Sequence, residues 1–301
     1  LMDSHLRGND NPVALSDAAA PPTLPPESPP ALPTVAAIIR QHGLSANKSL
    51  GQHFLLNPSL LEKIVTVAGI PPQAQVVEIG PGPGGLTQAL LKLLPNPVLA
   101  IERDQRLIPV LEQLQAAYPA RFSFRLTDAM TLNLAEWAGK GSAPLWIVGN
   151  LPYNVGTAML ARWLTPPLLL VGAVVMLQKE VAERMGATPG DAGYGRLSLL
   201  TQAVVDVEKL MDLSPQAFTP PPKVHSRLIR LIPHASQPSP DLFACLARLT
   251  AMAFQQRRKK LKTTLASYLS AMEALGINPD RRPEELSLAE FLALAQKISQ
   301  E

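Results

Sequence analysis

Asn150-Leu-Pro-Tyr153 combines residue types that suit one particular reaction. The exocyclic amino nitrogen of adenine, N6, is a poor nucleophile because its lone pair is delocalised into the ring. Methyl transfer from a sulfonium needs that lone pair aimed in line at the methyl carbon. Hydrogen-bond acceptors on both N6 hydrogens hold the amino group and favour a pyramidal nitrogen. The Asn150 side-chain oxygen and a backbone carbonyl in Leu151-Pro152 can supply them, and Pro152 adds no N–H donor while stiffening the turn. Tyr153 can stack on the flat face of a base. No strong general base is needed, since the N6 proton becomes acidic once the nitrogen is methylated. Phe218 lies in Phe-Thr-Pro-Pro-Pro-Lys-Val224, and a loop stiffened by prolines could present it as a second stacking face. For each aromatic alone, packing in the core is the alternative.

Three further positions suit a nucleoside-bearing cofactor. Glu78-Ile-Gly-Pro-Gly-Pro-Gly84 follows a short apolar run, where glycines allow a ligand close to the backbone; a purely structural turn would read the same way. The spacing Gly80-x-Gly82-x-Gly84 departs from the dinucleotide fingerprint. Glu102 follows Gly80 by 22 positions at the end of a second apolar run, where a carboxylate can accept hydrogen bonds from ribose hydroxyls. The competing reading is a surface glutamate ahead of a helix cap. Asp128, in Thr127-Asp-Ala129, could bind an adenine amino group or serve as a turn or cap residue.

These residues need a scaffold that brings strand ends together. Val76–Ile79, Val98–Ile101, Phe122–Leu126, Leu145–Val148 and Leu170–Leu177 read as strands. Helical patterns lie among them, including Leu86–Leu94 and a face of Leu107, Val110, Leu111 and Leu114 capped by Asp104, whose start Pro109 should kink or shorten. Such alternation predicts an α/β fold with an open, mostly parallel sheet. Val204–Leu213 and Val224–Ile232, joined by a proline-rich loop, should pair antiparallel. That ending suits Rossmann-like methyltransferases, whereas dehydrogenase sheets usually finish parallel. From Ser239-Pro240 onward, Leu242, Leu246, Leu249, Ala253, Leu261, Leu265, Tyr268 and Met272 trace one face of a long helix or helix pair. A last helix, Leu286–Ile298, completes a small C-terminal α-helical domain. The division expected is a proline-rich tail over 1–33, a Rossmann-like domain over 34–236 and a helical domain over 237–301.

The tail holds eight prolines in 33 residues and no apolar periodicity, so disorder with polyproline II character is expected. It lacks the basic start and apolar centre of a secretory signal, and it is too acidic for a transit peptide. Without its one arginine and four acids, the remainder carries 26 basic and 20 acidic residues, a net +6 that favours a polyanionic partner. No apolar run reaches membrane-spanning length. Cys245 reads as a core thiol, and the scattered His5, His42, His225 and His234 lack ligand spacing, so no metal is proposed. A cytoplasmic location is expected.

Seven motifs occur in a family-specific order: Gly51-Gln-His-Phe-Leu55, Glu78-Ile-Gly-Pro-Gly82, Asn150-Leu-Pro-Tyr153, Leu177-Gln-Lys-Glu180, Tyr194-Gly-Arg-Leu-Ser198, Phe218-Thr-Pro-Pro-Pro-Lys-Val224 and Phe254-x-Gln-Arg-Arg-Lys259. From about Leu44 onward the chain resembles the KsgA family, the small-subunit ribosomal RNA adenine N6,N6-dimethyltransferases. The resemblance implies an S-adenosylmethionine-dependent enzyme that dimethylates two adjacent adenines near the 3′ end of 16S rRNA. Its partner would be the 30S subunit or its precursor, with a role in subunit maturation, and the chain would be a monomer. By motif, His53 and Leu55 should border the cofactor, Gly80 its methionine part, Glu102 the ribose and Asp128 the adenine. Asn150, Leu151 and Pro152 should form the methyl-transfer centre, with Tyr153 and Phe218 stacking the target. His53 stands where the family often has asparagine. In this setting Arg257, Arg258, Lys259 and Lys260, with Lys262 beside them, would contact RNA phosphate rather than form a merely solvated face. The rivals are a 23S rRNA methyltransferase of the macrolide-resistance type, a noncatalytic rRNA-binding assembly factor and, distantly, a dehydrogenase.

Overall fold

The central strand β2 (Gln75–Ile79) pairs in parallel with β3 (Val98–Glu102) on one side and with β5 (Leu145–Asn150) on the other. In this computed structural model, which describes residues 32–135, 144–256 and 258–300, β4 (Phe122–Leu126) extends the sheet beyond β3 and β6 (Gly172–Gln178) extends it beyond β5, both parallel. Beyond β6 come β9 (Ser226–Pro233) and then β7 (Val205–Leu213), both antiparallel to their neighbours, giving the order β4-β3-β2-β5-β6-β9-β7. The α/β class, the mostly parallel sheet and its antiparallel ending therefore follow the expectation. A separate two-residue ladder was not foreseen: β1 (Phe54–Leu55) pairs with β8 (Phe218–Thr219).

Period-two alternation divides the interior strands between two cores. Val77, Ile79, Leu99, Ile101 and Ile147 face one, while Val76, Val98, Ala100, Trp146 and Val148 face the other. The second core is covered by α2 (Pro58–Ala68), α3 (Gly85–Leu93) and α4 (Ile108–Ala117). Asn57 caps α2 through Leu60 N, and Gly69 ends it in the left-handed conformation, as a helix stop requires. Pro109 sits in the first turn of α4, so it starts that helix after a 3-10 turn capped by Asp104. The short α1 (Val35–Gln41) begins at Thr34.

The first core is covered by α5 (Gly156–Trp163), α6 (Lys179–Met185), α7 (Arg196–Gln202) and the C-terminal helices. Those are α8 (Pro240–Ala253), α9 (Leu261–Thr264), α10 (Leu269–Ala274) and α11 (Leu288–Ser299). Phe243, Leu246, Leu249 and Phe291 share a continuous core with Leu199 and Val204, and the Tyr194 hydroxyl donates to the Leu286 carbonyl at 2.8 Å. The described residues cluster as one compact unit. The apolar face read from Leu242 to Met272 is not one helix, because α8 stops at Ala253 and the chain turns through the basic run before α9. Like charges three and four apart (Lys259 and Lys262, Arg258 and Lys262) disfavour helix there. The expected tail lies outside the described residues up to position 31, and so does Arg257.

Candidate active site

Strand order reverses between β2 and β5, and in open α/β sheets the crevice outside the carboxyl ends of such strands is where ligands bind. A cleft open to solvent on one side lies here. Its walls include His53, Leu55, Glu78, Gly80, Glu102, Asn150, Leu151, Pro152 and Tyr153. The loop after β2 comes close to the ligand space without a Cβ: Gly80 has φ +67°, and the position a Cβ would take is open. Gly149, beside it on β5, is required for another reason. A Cβ there would stand 2.7 Å from the Ile79 carbonyl oxygen.

Glu102 ends β3 with its carboxylate buried. One oxygen accepts from the backbone N–H of Arg103 at 2.7 Å and of Asp104 at 2.8 Å; the other accepts from Gly82 N–H at 3.3 Å. Burial pushes its carboxyl above the ordinary range, while those three donors pull it back. The second oxygen keeps acceptor capacity toward the cleft, which fits vicinal ribose hydroxyls. Glu78, which opens the glycine-rich motif, has a place that no sequence expectation covers. It lies on the β2 face toward α3, fully buried, accepts the Thr87 hydroxyl at 2.7 Å, and is pushed up to about 8 by burial. Its only sequence signal was an acid inside an apolar strand. Asp128 is placed less simply: one oxygen caps the turn at Met130 N and the other meets Arg103 at 3.4 Å. Its neighbours Thr127 and Ala129 line the cleft.

A strap from Asn47 to Leu55 closes the near side. The Gln52 side chain accepts from Asn47 N–H at 2.9 Å and donates to Asp104 at 3.0 Å; Arg106 grips Asp104 at 2.6 Å and reaches the Ser45 carbonyl at 3.2 Å. The Arg106 guanidinium holds the Asp104 carboxyl below its usual range. At the far side the Asn150 amide donates to the His53 carbonyl at 2.9 Å, which fixes the side chain and leaves its oxygen as an acceptor. The Pro152 carbonyl already accepts from Val155 N–H and Gly156 N–H, so the Leu151 carbonyl is the backbone acceptor available beside it. The Tyr153 hydroxyl bonds to Ser226 Oγ, and its ring is stacked on His53 with centroids 5.5 Å apart. Phe218 differs from expectation. It is not on a loop but in β8, paired with Leu55, 2% exposed and absent from the cleft wall.

Arg258, Lys259 and Lys260 lie in the turn between α8 and α9, and Lys262 lies in α9. Lys260 and Lys262 share Asp280 at 2.9 Å each, whereas Arg258 and Lys259 are exposed and have no ion-pair partner among the described residues.

A buried carboxylate at the end of β3, a glycine loop open to the cleft and fixed acceptors at the cleft's end together fit S-adenosylmethionine and an amino-bearing base. Comparison with known proteins agrees. Residues 43–300 match the family model for ribosomal RNA adenine dimethylase. A protein of Cereibacter sphaeroides named ribosomal RNA small subunit methyltransferase A is 45% identical over 274 residues, covering 89% of this chain and 98% of that protein. One from Gluconobacter oxydans with the same name is 45% identical over 286 residues, covering 94% and 93%. Among solved structures, a dimethyladenosine transferase from Plasmodium falciparum superposes with a TM-score of 0.70 at 27% identity, covering 82% of this chain and 98% of that one. The 23S rRNA methyltransferase ErmE shares the fold, with a TM-score of 0.63 at 22% identity over 82% of this chain and all of that one.

Proposed function

Because the chain belongs to the ribosomal RNA adenine dimethylase family, we propose that its site dimethylates N6 of two adjacent adenines near the 3′ end of 16S rRNA. It is an S-adenosylmethionine-dependent rRNA adenine dimethyltransferase. The near-full-length relatives named above carry the small-subunit name, which favours 16S over 23S rRNA, since the likeness to ErmE is one of fold. The partner proposed is the 30S subunit or its precursor, met by a monomer in the cytoplasm. Among the described residues no helix is long and apolar enough to cross a membrane.

When bound, S-adenosylmethionine supplies an electrophilic methyl group on a sulfonium. Glu102 accepts from the ribose hydroxyls, Gly80 leaves room for the methionine part, His53 and Leu55 border the ligand, and Asp128 with Ala129 flanks the adenine. The Asn150 Oδ1 and the Leu151 carbonyl accept from the two N6 hydrogens of the target and aim its lone pair. Tyr153 stacks on one face of the base; Phe218, buried opposite Leu55 and away from the cleft wall, is given no stacking role. Arg258 and Lys259 hold RNA phosphates, with Arg257 and Lys260 beside them in sequence.

The observation that carries this reading is the Asn150 amide, pinned by the His53 carbonyl so that its oxygen is left to accept, in a cleft wall that also holds Tyr153. Incubation with labelled S-adenosylmethionine and 30S particles lacking the modification should label two adjacent adenines. Asn150→Ala should lower the transfer rate about 100-fold or more, as loss of a preorganised transition-state contact does. Cofactor affinity should stay within a few-fold. Retained transfer would overturn the alignment role, and label on 23S rRNA would overturn the substrate.

A further inference from the structure

One face of Tyr153, the residue to which the proposed function gives the base, is covered by a side chain of the protein itself. The His53 imidazole lies against the Tyr153 ring with centroids 5.5 Å apart and planes inclined by 28°. A base between two rings needs about 7 Å, twice the contact distance of carbon atoms. Nothing planar can therefore enter between these rings as they stand.

His53 is held in this position on both sides. Its Nδ1 lies 2.8 Å from the Pro220 carbonyl, and a carbonyl can only accept, so Nδ1 carries the proton and donates. Its own carbonyl accepts from the Asn150 amide at 2.9 Å. One residue thus touches three parts of the site: Asn150, which aligns the amino group, Tyr153, which stacks, and Pro220, two positions after Phe218. The backbone of His53 is committed to Asn150, but the imidazole is half-exposed and tethered by a single hydrogen bond. The ring can rotate away while the backbone contact stays.

We propose that the His53 imidazole occupies the seat of the target base and is exchanged for it, so that His53 is a specificity-determining residue for base entry. This rests on the reading of Tyr153 as the stacking residue. The incoming base must replace an aromatic stack with a better one. Purines, with the larger face, do so more readily than pyrimidines. An adenine that cannot leave its helix does not compete. The closed seat also lowers apparent RNA affinity by the fraction of molecules in which it is open.

The test uses the full chain and a short single-stranded RNA carrying one 2-aminopurine, whose fluorescence falls when it stacks, titrated at fixed salt. Tyr153→Ala should remove the quenching. If quenching is unchanged in that variant, Tyr153 is not the stacking residue, and the proposed base site and this inference fall together. With Tyr153 intact, His53→Ala and His53→Asn should both tighten half-saturation about two- to tenfold, the range expected for releasing one aromatic stack. Because His53 also borders the cofactor, the titrations are run at saturating S-adenosylmethionine, so that a change in cofactor affinity does not enter the half-saturation. A folding defect would weaken binding, so tightening cannot arise from damage. Weaker quenching in both variants would make the imidazole a wall of the base site, and unchanged half-saturation would make it idle. Either result overturns the exchange while leaving Tyr153 in place.

Discussion

Glu78 shows how one residue can tie the site to the pH dependence of the fold. Its carboxyl sits on the β2 face toward α3 with the Thr87 hydroxyl as its hydrogen-bond partner, and burial raises it from 4.5 to about 8. In the unfolded chain the same group ionises near 4.5. The folded state therefore binds the proton more tightly. The stability tied to that proton is fully present below about 4.5, falls as pH rises, and is lost once pH passes about 8. Glu78→Gln keeps the shape without the ionisation. Its stability relative to the wild type should rise steadily between pH 5 and 8 and level off above, by an amount on the order of a few kcal/mol. Denaturant unfolding of both proteins across that range measures it, and parallel profiles would show that Glu78 is not held neutral. Glu102, two dozen residues along, is also pushed up by burial, but three backbone donors that Glu78 lacks partly offset that shift.

At the scale of elements, the strap over the cleft matters most. Its Gln52 side chain joins Asn47 to Asp104, and Asp104 both caps the turn before α4 and is gripped by Arg106. The cofactor's near wall and the helix start after Glu102 are thus one hydrogen-bonded assembly. Gln52→Ala should cost about 1 kcal/mol of stability, the usual worth of such a bond. It should also weaken S-adenosylmethionine binding several-fold, because the strap must then be ordered by the ligand. Calorimetric titration alongside thermal unfolding separates the two effects. Lost stability with unchanged affinity would make the strap a structural brace only. The β1–β8 ladder is the other half of this closure, since it places His53 beside Pro220 and withdraws Phe218 into the core.

At the scale of the molecule, the question is how a basic surface meets a folded RNA. Asp280 already neutralises part of the charge of Lys260 and Lys262, and those ammonium groups hold its carboxyl down at about 2. Arg258 and Lys259 have no ion pair among the described residues and are the ones proposed to meet phosphate. Replacing both by glutamine should weaken 30S binding and reduce the slope of log affinity against log salt by about 1 to 2. The same change at Lys260 and Lys262 should move the slope less. Equal effects from the two pairs, or no change in slope, would return the turn to a solvated surface. The C-terminal helices share a core with α7 and the sheet, so this turn is carried on the same packed body as the cleft.

Local pattern was enough to read the main-sheet strands and their parallel or antiparallel sense, and so which loops share an edge, because a parallel sheet puts every strand's carboxyl end on one edge. Gly80, Glu102 and Asn150 each follow an apolar run, so their place on that edge was legible without coordinates. Pairings between distant segments were not legible. A two-residue ladder leaves no periodicity, and so nothing in Phe218-Thr-Pro-Pro-Pro222 announced that Phe218 would be buried opposite Leu55. Only the folded chain revealed the neutral Glu78, the Gln52–Asp104 closure and the imidazole lying on Tyr153. Residue types specify what a group can do. Its burial, its partners and what already covers it depend on contacts made across nearly the whole length of the chain.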